Sequence, residues 1–548
     1  MRRAAIAATT SHFVLAKLQQ FLPDWGMSSK KTSQKKQTTT NLAGHRRHKK
    51  TLIPPLIDLP MTPSSWVDSR MPELLWVVLL REQLGRIRAI EVFNYIANYV
   101  ASHKECGDVM LTALGRLHPD ARREFIRYVV SLDAKNAQHL RPLLLFSSLP
   151  GRVEWAQELG EAVGGEDWKA TAAAVSKVLF HQSEQATDCR WMRLIGAIAG
   201  GRIAFSSEVG ETLRRITEYP NYSDPGASRA TIRAAEIGLS SIGTIDNSWP
   251  NEFWKQCYSN TGCIPERKKT YRDLDSNQRK RADQHYLEES RKIEEQIASH
   301  FFSVSHSTEL DSKLESSFGL TLYALTVFQE IAVYRIEHST IGRFALRTLA
   351  ESLISLSYLI EKNDPRLWDE FRSYGTGQIK LTVLKMHEID SFPNYLSGEN
   401  WEAILNEDVW EEFVSINLGN WNDSGVRERS QDGHTKEEYD KYFAPASGYI
   451  HANWGAIREC AFDNCMNPLH RRHRIPTRQL LPLNEVLGDA RILMNRILGL
   501  LGHAYPTFEE RIAEFVASEH QLDTSDPKWS DALRGSWKSL WVWLKSSS

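Results

Sequence analysis

IGRFALRTLAESLISLSYLI, Ile341 to Ile360, is the stretch on which the fold turns. It is a long apolar run without Pro, rich in Leu and Ala, and such a run favours a helix. At 100° per residue, Ala345, Leu346, Leu349, Leu353, Leu356 and Ile360 form one broad stripe. Phe344, Ile354 and Tyr358 fall on the other side, so the helix is apolar nearly all round and is expected to be buried. Arg343, Arg347 and Glu351 recur every fourth residue and stack along one line of it. Three charges within the first half argue against a membrane span. The reading is a core helix that other helices wrap, with Arg347 and Glu351 either orienting each other in a pocket wall or forming a structural ion pair.

The rest of the chain agrees with an all-α class. It has 548 residues, 41% hydrophobic and 25% charged, with a net charge of −1. That length calls for more than one domain. The near-neutral charge supplies no global field for nucleic acid or membrane. Six Cys in no dense framework fit a reducing compartment, which makes the cytoplasm the expected location. Residues 1–25 lack a convincing signal-peptide pattern, and Met27 is an alternative start. Residues 28–50, SSKKTSQKKQTTTNLAGHRRHKK, are basic and poor in apolar residues, as in a disordered tail. The Pro-rich TLIPPLIDLP then reads as an extended lead-in.

These patterns divide the chain into a tail and lead-in (1–60), an N-terminal irregular helical domain (61–245), a linker (246–280), a C-terminal helical bundle (281–505) and a Trp-rich tail (506–548). In the N-terminal domain, helical spacing recurs over Met71–Leu84, Ile87–Val100 and a segment opened by Pro119. It continues over Leu140–Ser147, Arg152–Leu159, Ala170–Leu179, Trp191–Ala199 and Arg229–Leu239. No fixed period names a repeat, so the domain is either a short stack of helix pairs, which would offer a protein partner a surface, or a plain bundle. In the C-terminal domain, Asp283–Phe302, Leu310–Ile336 and the core helix form an antiparallel bundle. A short helix at Arg366–Tyr374, an irregular region at 389–440, a helix over Tyr442–Arg458 and another over Leu483–Gly502 complete it. Phe508–Ser518 is expected to be helical, and Trp537 and Trp541 to share a helix face.

Pro445 suits a first helical turn, which would put Ser447 and His451 on one face. With Arg347 and Glu351 they form the candidate site: a His held by a carboxylate as general base, and an Arg to clamp phosphate. Cys460, Cys465, His470 and His473 give C-x4-C-x4-H-x2-H. All four are possible zinc ligands, but the spacing departs from zinc fingers and the surrounding NPLHRRHRIP reads as a basic loop, so neither metal nor cofactor is assigned. Arg471, Arg472, Arg474 and Arg478 make that loop a local basic patch. Two Arg–His pairs, Arg279–His285 and Arg429–His434, have the four-to-six-residue separation of some helical toxin ribonucleases. The first lies on a charged, exposed stretch and the second in a Gly-containing irregular one. The chain contains no P-loop, dinucleotide fingerprint, G-x-S-x-G or H-E-x-x-H.

RTLAESLISLSYL (347–359), RLWDEFRSYG (366–375) and ASGYIHANWGAI (446–457) together resemble an uncharacterised bacterial family of all-helical domains of unknown function. That family pairs an Arg-x3-Glu helix with a Ser-x3-His segment far downstream, and the resemblance covers roughly residues 310–500. Arg347 and Glu351 match the first motif, Ser447 and His451 the second. The resemblance implies a bacterial cytosolic protein linked to stress or phage defence, without an assigned activity. Two functions follow. In the first, a polar pocket around Arg347, Glu351, Ser447 and His451 binds or cleaves a phosphate-bearing ligand, RNA or a nucleotide. In the second, the protein is a non-enzymatic scaffold whose charges are structural. No membrane partner is expected.

Overall fold

The computed structural model describes residues 45–49, 51–53, 65–160, 164–203, 210–221, 226–240, 247–274, 276–389, 393–407, 411–422, 424–471, 473–477 and 480–515. Most of the basic tail, the Pro-rich lead-in after Ile53, Arg472, Arg478 and the Trp residues after 515 lie outside these. Among the described residues the chain is helical, with two short strand pairs, Arg46–His48 (β1) with Thr51–Ile53 (β2), and Phe462–Asn464 (β3) with Arg474–Pro476 (β4). It divides into two units. Unit 1 is Met1–Glu266 with Asp463–Ile475, and unit 2 is Arg267–Phe462 with Pro476–Ser548. The two units therefore alternate along the chain, with residues 267–462 of unit 2 lying between the two segments of unit 1. The expected linker at 246–280 instead holds a helix, Ser248–Asn260, that belongs to unit 1.

The principal helices of unit 1 are α1 (Leu75–Ser102), α2 (Gly165–Val178), α3 (Glu184–Ala199), α4 (Gly226–Ser240) and α5 (Ser248–Asn260). Helix α1 packs on α2 and α3, and α3 on α4. The two segments Met71–Leu84 and Ile87–Val100 fuse in α1 across a kink at Gly85, whose φ of 71° only glycine adopts cheaply. Trp residues help fill this core, and three of them have their N–H groups satisfied: Trp66 donates to Val178 O at 2.8 Å, Trp76 to Val109 O at 2.9 Å and Trp191 to Ile216 O at 2.7 Å.

Unit 2 is built on α6 (Ser276–Val304), α7 (Ser312–Val333), α8 (Thr340–Lys362), α9 (Pro365–Glu388), α10 (Val426–Asp432), α11 (Ala444–Ile450) and α12 (Leu487–Ala504). Helix α8 is the opening stretch of sequence. Ser339 caps it, accepting from Gly342 N at 3.1 Å, and it ends at Asn363 in the left-handed region, φ 44°. Asp364 and Pro365 then start α9. Every residue from Ser352 to Leu359 is buried, so this half of α8 is enclosed on all sides. It packs on α7, α10, α11 and α12. Helix α9 runs nearly four turns beyond the expected Tyr374, to Glu388. Helix α7 is long and apolar enough to cross a membrane, and half of it is buried in the core of unit 2.

Two expectations fail. The helix over Tyr442–Arg458 breaks: α11 ends at Ile450, Ala452 takes a φ of 48°, and a new helix runs Trp454–Ala461. Phe508–Phe515 is not helical. It is a strap tied to α12, where Asn495 Nδ2 donates to Ile512 O at 3.0 Å and Ile512 N donates to Asn495 Oδ1 at 2.8 Å. Buried Phe508 and Ile512 hold it down.

Candidate functional site

The structure joins three of the four expected site residues. From α8, Arg347 donates through Nε to Ser447 Oγ on α11 at 3.1 Å and through a terminal nitrogen to Glu351 Oε2 at 2.8 Å. Its guanidinium carbon lies 4.4 Å from the centroid of the Phe443 ring. The Ser447 hydroxyl is itself ordered, since it donates to Phe443 O at 2.7 Å and so turns a lone pair to Arg347. Hydrogen bonds and ring stacking thus fix the Arg347 plane from three directions. Glu351 keeps about a third of its side chain in contact with solvent (35%), Arg347 less (21%).

His451 is not a member of this group. Among the described residues no hydrogen bond or ion pair joins the His451 side chain to Arg347, Glu351 or Ser447. His451 occupies the C-cap, its backbone N–H donates to Ser447 O at 3.1 Å, and the residue is exposed. Arg343, next on the same line of α8, is buried and turns instead to the carbonyls of Glu337 (3.3 Å) and Ser339 (3.4 Å).

The residue that extends the site stood in the sequence only as half of an Arg–His pair. Arg429 on α10 is only 4% exposed and stacks on Trp421, its guanidinium carbon 5.0 Å from the ring centroid. Burial pulls its pKa down from the usual arginine range, and the Glu351 carboxylate works in the opposite direction. One terminal nitrogen reaches Asn422 Oδ1 at 3.4 Å. Ser424 N also donates to Asn422 Oδ1, at 3.3 Å, so the amide oxygen of Asn422 faces these donors and its NH2 faces away. Arg429 Nε, Asn422 Nδ2 and Ser424 Oγ are buried without a hydrogen-bond partner.

Helix α10 comes this close to α8 because of Gly433. A Cβ there would lie 2.8 Å from Tyr358 N and 3.0 Å from Tyr358 Cα, and the Gly433 carbonyl accepts from Ser357 Oγ at 2.7 Å. Trp421 is held between Tyr358 and Phe371, with centroids 5.8 and 5.3 Å away. Trp421 and Asn422 also line a cavity of about 910 Å³ in unit 2, together with Leu367, Tyr374, Phe413 and Asn417. That volume suits a ligand of nucleotide size.

The ribonuclease-like pairs do not form sites. Arg279 is taken by Glu337 at 2.6 Å, and His285 faces Ala513 O at 3.3 Å. His434, with φ 54°, is exposed beside Glu361 at 3.5 Å, whereas Arg429 is buried. Of the C-x4-C-x4-H-x2-H residues, Cys465, His470 and His473 come together in unit 1, and the fourth member of their group is Cys263. Cys460 belongs to unit 2.

Unit 1 carries a second polar network that sequence reading missed. Fully buried Glu236 on α4 pairs with Arg70 and with Arg193, the latter at 2.5 Å. Asp188 on α3 accepts from Arg81 at 2.6 Å and from Tyr219 at 2.8 Å. Each carboxylate is matched by guanidinium groups, which is the pattern of a structural network.

Residues 315–464 match a family of unknown function (DUF5677). The matched span contains Arg347, Glu351, Arg429, Ser447 and His451, and lies within the region whose motifs carried the resemblance. No curated protein and no solved structure matches the chain.

Proposed function

We propose that unit 2 binds a phosphate-bearing ligand, a nucleotide or RNA, at the cavity beside Trp421, and that it binds without cleaving. The observation that carries this reading is the set of three unpartnered buried donors, Arg429 Nε, Asn422 Nδ2 and Ser424 Oγ. Leaving buried donors unsatisfied costs about 1–3 kcal/mol each. Of the three, Asn422 lines the cavity and meets an acceptor oxygen of the ligand there, beside Arg372 and the carboxylates of Asp369 and Glu370. Tyr374, half-buried in the lining, offers a face on which a base stacks.

Binding is preferred over cleavage because neither His451 nor Glu351 stands ready as a general base. His451 is exposed at a helix end, and Glu351 is engaged by Arg347. The saturation of Arg347 equally favours the scaffold reading, in which all these charges are structural. The two separate by titration of the full chain with ATP and with a short single-stranded RNA, followed by calorimetry. The ligand reading expects binding that Arg429→Gln weakens about tenfold or more, while the melting temperature shows the variant folded. Absence of binding to either probe at millimolar concentration, or binding untouched by Arg429→Gln, leaves the scaffold reading.

A further inference from the structure

We infer that Cys263, Cys465, His470 and His473 form a structural zinc site in unit 1. The four donor atoms lie within 4.8 Å of one another. Cys263 Sγ is 3.6 Å from His470 Nδ1 and 3.7 Å from His473 Nε2, and Cys465 Sγ is 3.4 Å from His470 Nδ1. Zinc bonds of about 2.3 Å to sulfur and about 2.0–2.1 Å to nitrogen, at tetrahedral angles, put sulfur and nitrogen roughly 3.5 Å apart. The three separations fall around that value. Two thiolates with two imidazoles are a donor set that selects zinc over the harder divalent cations.

The surroundings orient each ligand. His470 is buried, and its Nε2 faces Thr261 O at 3.1 Å and Thr261 Oγ1 at 3.0 Å. A proton on Nε2 donated to that carbonyl leaves the Nδ1 lone pair free for the ion, the usual way in which a ligating histidine is held. Ile264 N donates to Cys465 Sγ at 3.4 Å, an interaction that favours the thiolate. Asn467 Nδ2 donates to Gly262 O at 2.7 Å, and His473 N donates to His470 O at 2.9 Å, which closes the turn carrying both histidines. Leu469, within that turn, is buried in the core of unit 1.

Four protein ligands leave no open position, so the ion acts on structure and not on substrate. On binding, the two thiols release their protons and the two thiolates neutralise Zn2+. Cys263 comes three residues before unit 1 gives way to unit 2, and Cys465 two residues after Asp463 resumes it. The ion therefore ties together the two segments of unit 1, closing a loop across residues 201 positions apart such as Ile264 and Cys465. Closing a long loop restricts the unfolded chain, as a disulfide would.

The full chain, purified after zinc supplementation, is expected to carry about one zinc per molecule by elemental analysis. Cys263→Ser, at an exposed position, lowers this at least fivefold, whereas Cys460→Ser leaves it unchanged. Replacement by Co2+ gives tetrahedral d–d absorption with a thiolate charge-transfer band, and chelation lowers the melting temperature by several degrees. The inference is overturned by less than about a tenth of an ion per chain after dialysis against zinc. It is equally overturned by metal lost in Cys460→Ser and kept in Cys263→Ser, or by a Cys263–Cys465 disulfide in protein purified without air. Should Cys263→Ser fail to fold, the cobalt spectrum of the unaltered chain decides.

Discussion

Arg347 Nε donates to Ser447 Oγ at 3.1 Å across 100 residues of sequence, and this bond fixes α11 against α8. Ser447→Ala removes the acceptor and leaves a partly buried guanidinium nitrogen without its partner. The expected loss is about 1–2 kcal/mol of unfolding free energy. Arg347→Lys keeps the charge but loses the planar stack on Phe443 and is expected to cost a similar amount. Combined, the two changes should cost less than their sum by about 0.5 kcal/mol or more, read from a double-mutant cycle in urea. Additive losses would show that the bond carries no coupling.

Gly433→Ala tests whether α10 needs its close approach to α8. The φ of Gly433 is −91°, a value any residue adopts, so backbone strain plays no part. The cost comes from a methyl group placed 2.8 Å from Tyr358 N, where neither backbone yields easily. Overpacking of this kind costs about 1–3 kcal/mol. Since Arg429 sits four residues before Gly433, ligand binding should weaken along with stability. Urea denaturation checks the first effect and calorimetry the second. A variant as stable as the parent would mean that the two helices separate freely.

The spine of unit 2 could be read from residues 341–360 because burial all round and helical period are local properties of one segment. The Arg347–Glu351 pair was legible for the same reason, being an i, i+4 relation. His451 was misplaced because the helix break at Ala452 has no Gly or Pro to announce it, and only its positive φ marks it. Arg429 was noticed in the wrong partnership. Its burial depends on Trp421 and on the closeness that Gly433 permits, and neither is a spacing in the sequence. Cys263 was missed as a partner of Cys465 because residues 267–462 of unit 2 separate them. A search confined to clustered Cys and His therefore supplied Cys460 in its place.

Glu73 gives unit 1 a dependence on pH. It is 3% exposed and accepts from Thr112 N at 2.8 Å and Thr112 Oγ1 at 2.5 Å. Burial is the largest influence and pushes its pKa up to about 7. A carboxyl whose folded pKa is raised binds more protons folded than unfolded. Its contribution is therefore fully present below the unfolded value and is lost as pH rises towards about 7. Glu73→Gln mimics the protonated form and should remove this loss. Its melting temperature is expected to fall less between pH 5 and pH 7.5 than that of the parent, by the equivalent of about 1–3 kcal/mol. Parallel pH profiles would place the titration elsewhere.

His451 supplies the test between binding and cleavage. Its side chain is exposed, and the helix ends before it. Surface changes away from such contacts usually shift stability by no more than about 0.5 kcal/mol. His451→Ala is therefore expected to leave both the melting temperature and the affinity for ATP or RNA as they were, whereas Arg429→Gln lowers the affinity. The measurement is calorimetry on both variants, with incubation of labelled RNA beside it to detect cleavage products. Cleavage by the parent that disappears in His451→Ala, at unchanged affinity, would show that the imidazole does reach the ligand. The exposed helix end would then be part of an active site completed only when RNA is bound, because a general base must come within hydrogen-bond reach of the proton it removes.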